Sequence, residues 1–149
     1  MTPARPGAIV RKRVLVVDDE ADFLATYERL LRRQGYDVIV ATTRVAGIAA
    51  VAREHPHLVI SDLRLPDGDG LDVVRAARGA IDPPSVIVVT GYPSDETRRA
   101  ALAAGATAFL AKPFAAAGLL AAVGSSLAAG PDPAGGTDSR PLDPGGRSA

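Results

Sequence analysis

Short, continuously apolar runs alternate along this chain with longer segments whose apolar residues recur at helical spacing, and few folds accommodate that alternation. Val14–Val17, Leu58–Ile60 and Val86–Val89 are apolar throughout, as strands of a parallel sheet are when helices cover both faces. Val38–Val40, after Tyr36 and Asp37, and Ala106–Leu110 are more mixed, which suits strands nearer an edge. Between the first two runs Phe23, Leu24, Tyr27, Leu30 and Leu31 share one helical face, and Gly35 follows as a stop. Thr43 is placed to cap a second helix bearing Val45, Ile48, Ala49 and Ala52, while Leu71, Val74 and Ala77 mark a third that ends at Gly79. A fourth helix follows Pro93, with Ser94 as its cap, Asp95 and Glu96 in its first turn and Gly105 at its end. A fifth lies in the uncharged stretch from Pro113 to Pro131, where Leu119, Leu120, Val123 and Leu127 stand near helical spacing. The pattern is that of successive β-α units: an α/β fold with five parallel strands and five helices.

Composition narrows the chemistry. Lys plus Arg and Asp plus Glu number 17 each, a formal net charge of +0, so no global field draws the chain to nucleic acid or to an anionic membrane. Apolar residues make up 47% but aromatics only 4%, which leaves Ala, Val and Leu to fill the core and little from which to build a base-stacking platform. The absence of cysteine excludes disulfides, thiolate metal sites and cysteine nucleophiles and fits a cytoplasmic location. The start, MTPARPGAIVRKR, lacks the apolar run of a signal peptide, and the Ala- and Gly-rich stretch before Pro131 reads as a soluble helix rather than a membrane span. Residues 1–12 read as a flexible flank and 13–127 as the folded domain. Residues 128–149, rich in Pro and Gly with Leu142 as the one large apolar side chain, read as a disordered tail.

In an open parallel sheet, functional groups gather at the carboxyl ends of the strands. Asp18, Asp19 and Glu20 follow the first run, Asp62 the third, Thr90 the fourth, and Lys112 with Pro113 the fifth. Carboxylates brought so close repel one another and call for a cation. Mg²⁺, a hard ion that takes oxygen ligands, commonly combines one or two carboxylates with a phosphate oxygen. Carboxylate, metal, ammonium and hydroxyl together suit phosphoryl transfer onto a carboxylate nucleophile.

VLVVDDE, SDLRLPDGDG, VVTG and FLAKPF, in this order at the ends of four expected strands, resemble the receiver domain of two-component response regulators, the CheY-like family, from about Arg13 to Leu127. The resemblance implies a flavodoxin-like three-layer α/β/α fold with strand order 2-1-3-4-5. It implies that Asp62 is the phosphoacceptor, taking a phosphoryl group from a sensor histidine kinase or a phosphotransfer protein. Asp19, Asp62 and the backbone carbonyl of Arg64 would bind Mg²⁺ directly, with Asp18 acting through metal-bound water. Lys112 would contact the phosphoryl group, and the Lys112–Pro113 bond would be cis. Thr90 and Phe109 would form the switch pair that reshapes the surface of the fourth helix, fifth strand and fifth helix. Pro66 and Gly70 would shape the turn after the phosphoacceptor. Arg64 and Tyr92 occupy positions where side chains screen the attacking water in this family, so they are expected to slow hydrolysis of the aspartyl phosphate. The implied protein is a signalling module that catalyses only its own phosphorylation and dephosphorylation. Its partner would be a downstream protein or a second copy, with no direct nucleic-acid or membrane contact. No output domain follows Leu127, so the chain reads as a stand-alone receiver or a fragment of a larger regulator.

Other readings of the same residues compete. Asp18 and Asp19 are placed to cap the first helix, and Asp67, Asp69 and Asp72 among Gly68 and Gly70 lack the full ligand ladder and final Glu of a calcium loop, which leaves turn and helix capping. His55 and His57 have no further histidine to complete a metal site and read as solvated turn residues. A haloacid dehalogenase-type phosphohydrolase also combines Asp, Mg²⁺, Thr and Lys, but its D-x-D motif is displaced here, since Ala21 follows Asp18, Asp19 and Glu20. A flavodoxin-like cofactor binder would need a Ser/Thr-rich phosphate loop. Arg98 and Arg99 on the fourth helix and the uncharged Ala115–Ala129 are the expected contact surfaces for a partner or a dimer.

Overall fold

The five apolar runs become the strands of one parallel sheet. In this computed structural model, which describes residues 11–129, β1 (Arg13–Val17), β2 (Asp37–Ala41), β3 (Leu58–Asp62), β4 (Ser85–Thr90) and β5 (Ala108–Ala111) alternate with α1 (Ala21–Arg33), α2 (Arg44–Glu54), α3 (Leu71–Arg78), α4 (Asp95–Ala104) and α5 (Ala116–Ala129). Every pairing is parallel and the order is β2-β1-β3-β4-β5, the flavodoxin-like order the resemblance implies. From β1 the chain turns to β2 on one side, and β3 then lies on the other, so a crevice opens above the carboxyl ends of β1 and β3.

The three continuously apolar strands are central, and their side chains divide by alternation into two layers. Leu15, Val17, Val59, Val86 and Val88 meet Val51, Val73, Val74 and Ala101 from α2, α3 and α4. Val14, Val16, Ile60, Ile87 and Val89 meet Tyr27 and Leu31 of α1 and Leu119 and Val123 of α5. Complete burial on both faces is what the lack of polar alternation in these strands requires.

The expected helix ends are present. Thr43 Oγ1 accepts from the Ala46 N–H at 3.0 Å, Ser94 and Thr97 form a reciprocal capping box, and Gly105 ends α4 with φ 116, a left-handed conformation that glycine adopts without a Cβ penalty. A two-residue hairpin, Arg64–Leu65 against Gly68–Asp69, follows β3, and α5 runs two residues past the expected boundary at 127. No helix among the described residues is long and apolar enough to cross a membrane. The expected flank, apart from residues 11 and 12, and the expected tail from residue 130 onward lie outside the described residues.

Candidate functional site

Register brings the acidic residues together. Val17 pairs with Ser61 and Asp62 with Val89, so the residues that end β1 and β3 emerge side by side. They border a cavity of about 520 Å³ lined by Asp19, Glu20, Phe23, Asp62, Arg64, Gly91, Tyr92, Lys112 and Pro113. Lys112 Nζ lies 2.7 Å from Asp18 Oδ2, 2.7 Å from Glu20 Oε1 and 2.8 Å from Asp62 Oδ2. One oxygen from each of these carboxylates lies within 4.8 Å of the others. The Phe23 ring sits 4.2 Å from the ammonium, and Phe114 packs against both Phe23 and Tyr27, fixing that ring. The Lys112–Pro113 peptide bond is cis.

Each buried aspartate uses its other oxygen to hold its own loop. Asp18 Oδ1 accepts from the Glu20 N–H at 2.9 Å, and Asp62 Oδ1 from the Arg64 N–H at 3.1 Å. Burial pushes the Asp18 carboxyl above the usual carboxylate range, although its contact with Lys112 and the Glu20 N–H oppose this. Burial pulls the Lys112 ammonium down, but its bonds to Asp18, Asp62 and Glu20 outweigh that and hold it above the ordinary lysine value. Three carboxylates around one ammonium give the cluster more acidic than basic groups. Asp18 Oδ2 is buried and, despite its ion pair, accepts no aligned hydrogen bond. An all-oxygen donor set with a surplus of acidic groups and one unsatisfied buried oxygen fits Mg²⁺.

The remaining expected residues are distributed around this cluster. Asp19 is exposed and lines the cleft without joining the cluster; Glu20, the last acid of the DDE run, takes that place. Arg64 and Tyr92 stack across the mouth, the guanidinium carbon 3.9 Å from the ring centroid. Thr90 is buried at the end of β4, where its Oγ1 accepts from the Tyr92 N–H at 3.1 Å. It lines a second hollow with Leu63, Leu65, Leu71, Thr97 and Ala100. Because Arg64 and Tyr92 line both cavities, their stack is the wall between them. Phe109 is half-buried on β5 against the α2–α4 core layer.

Two of the acids after β3 cap helices, as the turn reading expects, but one of them caps a distant helix, and Asp72 instead pairs with Arg44 and Arg75. Asp69 accepts from Leu71 at the start of α3, while both oxygens of Asp67 accept from Arg44 and Val45 at the start of α2. His55 ends α2 in a left-handed conformation, and His57 Nδ1 accepts from the Arg13 N–H.

A doubly wound sheet with a lysine-bridged acidic cleft at its switch point defines a CheY-like α/β domain. Residues 14–124 match the family described as the response regulator receiver domain. The chain is 41% identical over 112 residues to the acid tolerance regulatory protein ActR of Rhizobium meliloti, a match covering 75% of this chain and 58% of that protein. A CheY-like receiver domain from Methanospirillum hungatei superposes with a TM-score of 0.75 at 34% identity, over 80% of this chain and 96% of that one. The receiver domain of a sensor histidine kinase from Pseudomonas aeruginosa, crystallised with a magnesium ion in its active site cleft, gives a TM-score of 0.72 at 26% identity, over 80% and 99%. This chain belongs to the response regulator receiver domain family of two-component signalling. It spans little more than half the length of the ActR protein it matches.

Proposed function

We propose that this receiver takes a phosphoryl group onto Asp62 from the phosphohistidine of a sensor histidine kinase or phosphotransfer protein, and so switches a protein-binding surface. The observation that carries the reading is the Lys112 ammonium bridging Asp62 and the buried Asp18 at 2.8 and 2.7 Å. An Asp62 carboxylate oxygen attacks the phosphorus as the P–N bond to the donor imidazole breaks, and the electron pair of that bond leaves with the imidazole. Arg64 N–H holds Oδ1 during the attack, and Lys112 balances charge on the transferred oxygens. Asp19, Asp62 and the Arg64 carbonyl are the residues that would hold Mg²⁺ directly, with Asp18 acting through metal-bound water. When bound, the ion neutralises charge on the phosphoryl oxygens.

Thr90 accepts from Tyr92 and keeps its own proton, which it can donate to a phosphoryl oxygen once the Arg64–Tyr92 wall rearranges. Phe109, paired with Val88 two residues before Thr90, follows on the adjacent strand. Together they alter the α4-β5-α5 face offered to a downstream protein or a second copy. In this reading the domain is a cytoplasmic signalling module, alone or within a longer regulator, and it turns over no external substrate.

The test is incubation with Mg²⁺ and phosphoramidate or acetyl phosphate, read by intact mass beside Asp62→Ala. One Mg²⁺-dependent phosphoryl group on the wild type and none on the variant is the expected result. Steady release of phosphate that persists in Asp62→Ala would instead favour a hydrolase acting through another residue.

A further inference from the structure

We propose that Glu20 is a latch on Lys112, holding the ammonium in the unphosphorylated protein and releasing it when the phosphoryl group arrives. The inference rests on the reading of Asp62 as phosphoacceptor and assigns Glu20 as a positioning residue for that reaction.

A lysine ammonium has three protons and no acceptor capacity; Glu20 Oε1 and Asp62 Oδ2 accept from Nζ at 2.7 and 2.8 Å, and Asp18 Oδ2 crowds it as an ion pair at 2.7 Å, so carboxylate oxygens occupy three sides of the ammonium. A phosphoryl oxygen that engages Lys112 must therefore displace a partner. Asp18 is held in place by burial and by the Glu20 N–H. Asp62 is the acceptor itself. Glu20 alone has its side chain largely in water, 56% exposed against 1% for Asp18 and 8% for Asp62, so it alone regains hydration on leaving.

Its position in the chain supports the assignment. Glu20 is the N-cap of α1 yet makes no side-chain cap bond, although a short side chain there would ordinarily satisfy a helix N–H. It reaches instead across 92 positions of sequence to Lys112. A phosphoryl group carries more negative charge than the carboxylate oxygen it esterifies, so it repels the Glu20 carboxylate at the same moment that it attracts the ammonium. Glu20 swings to solvent, and Lys112 keeps its place between Asp18 and the ring of Phe23.

Glu20→Gln tests the latch. It removes one exposed ion pair and one repelling charge, and phosphorylation by phosphoramidate at saturating Mg²⁺ should quicken about two- to fivefold. Lys12 and Lys112 are the only lysines, so lysine labelled at Cε and Nζ gives two sets of NMR signals. The Lys112 signal of unphosphorylated Glu20→Gln should move and its ammonium protons exchange faster, while the Lys12 signal and the thermal midpoint stay as in the wild type. A merely structural role at the start of α1 would shift the midpoint and leave the Lys112 signal in place. Wild-type rate or slower phosphorylation in Glu20→Gln, or an unmoved Lys112 signal, overturns the latch while Asp62 phosphorylation stands. A wild type that takes no phosphoryl group overturns the underlying reading and the latch with it.

Discussion

Breaking the Arg64–Tyr92 stack should shorten the life of a phosphoryl group on Asp62. The guanidinium lies 3.9 Å from the ring centroid, and Tyr92 is 65% exposed, so the contact belongs with cation–π pairs at exposed sites, which contribute roughly 0.5–1 kcal/mol. That energy changes the open-to-closed ratio of the wall by about two- to fivefold. Both residues border the cleft that holds Asp62, so water reaches the phosphorus more often in proportion. Arg64→Ala and Tyr92→Ala are each expected to shorten the half-life by that factor. The double variant should lose little more than the larger single effect, because either truncation already destroys the pair. Arg64→Lys keeps the charge without the planar group that stacks on a ring and should fall between wild type and Arg64→Ala. The assay isolates phosphoprotein, removes the donor and follows intact mass with time at constant Mg²⁺. Equal half-lives in the wild type and both single variants would refute the screening role; multiplying effects in the double variant would refute the coupling.

Three further outcomes are expected. A Cβ at Gly70 would overlap the backbone oxygen of Asp62, although the glycine φ of −63 is ordinary; Gly70→Ala should cost about 1–3 kcal/mol in urea unfolding and depress phosphorylation by displacing the acceptor, and a normal rate would show that the loop absorbs the methyl. Burial, with the charges of Arg13 and Lys12, lowers His57 below its ordinary 6.5; the unfolded chain therefore binds a proton the folded one refuses, stability falls as pH drops from about 6.5 towards the lowered value and is level above it, and His57→Gln should flatten urea midpoints across that window. Mg²⁺ held only by the folded protein stabilises it by about 1.4 kcal/mol at ten times its Kd, so the thermal midpoint should rise with Mg²⁺ but not with sodium chloride of matched ionic strength.

How much of this was legible in the sequence follows from the range of the interactions involved. Val14–Val17 and Val86–Val89 announce buried strands because burial on both faces removes all polar alternation, and Thr43, Ser94 and Gly105 announce helix ends because capping is local. Asp18, Asp62 and Lys112 could be placed together because each ends a strand, and topology alone decides which strand ends adjoin. Asp19 and Glu20 could not be told apart in this way. Which of two neighbouring loop acids turns inward depends on the backbone at the start of α1, where Glu20 adopts φ −89, ψ 114. That Asp67 serves as a cap is legible from its loop, but the helix it caps, α2, begins 23 positions away, a distance no local pattern carries. The Arg64–Tyr92 wall joins two loops from different strands, and Thr90 lies behind it for the same tertiary reason. The two-residue hairpin is too short to show any period.

The cleft departs from the rest of the fold in one physical respect, and that departure links stability to signalling. Elsewhere among the described residues buried side-chain polar atoms have hydrogen-bond partners; here three carboxylates crowd one ammonium, and a buried Asp18 oxygen lacks an aligned donor. Such an arrangement persists because the strands beneath it leave no alternative. Val17 and Val89, beside Asp18 and Thr90, are fully buried, and the parallel register fixes where the next residues emerge. In the proposed function the same surplus charge calls for a cation, makes the arrival of a phosphoryl group a large local perturbation, and leaves Glu20 as the partner of Lys112 with the least to lose by departing. In the proposed function this crowding of charge is the source of the site's response to a phosphoryl group, and substitutions that relieve it should trade responsiveness for stability.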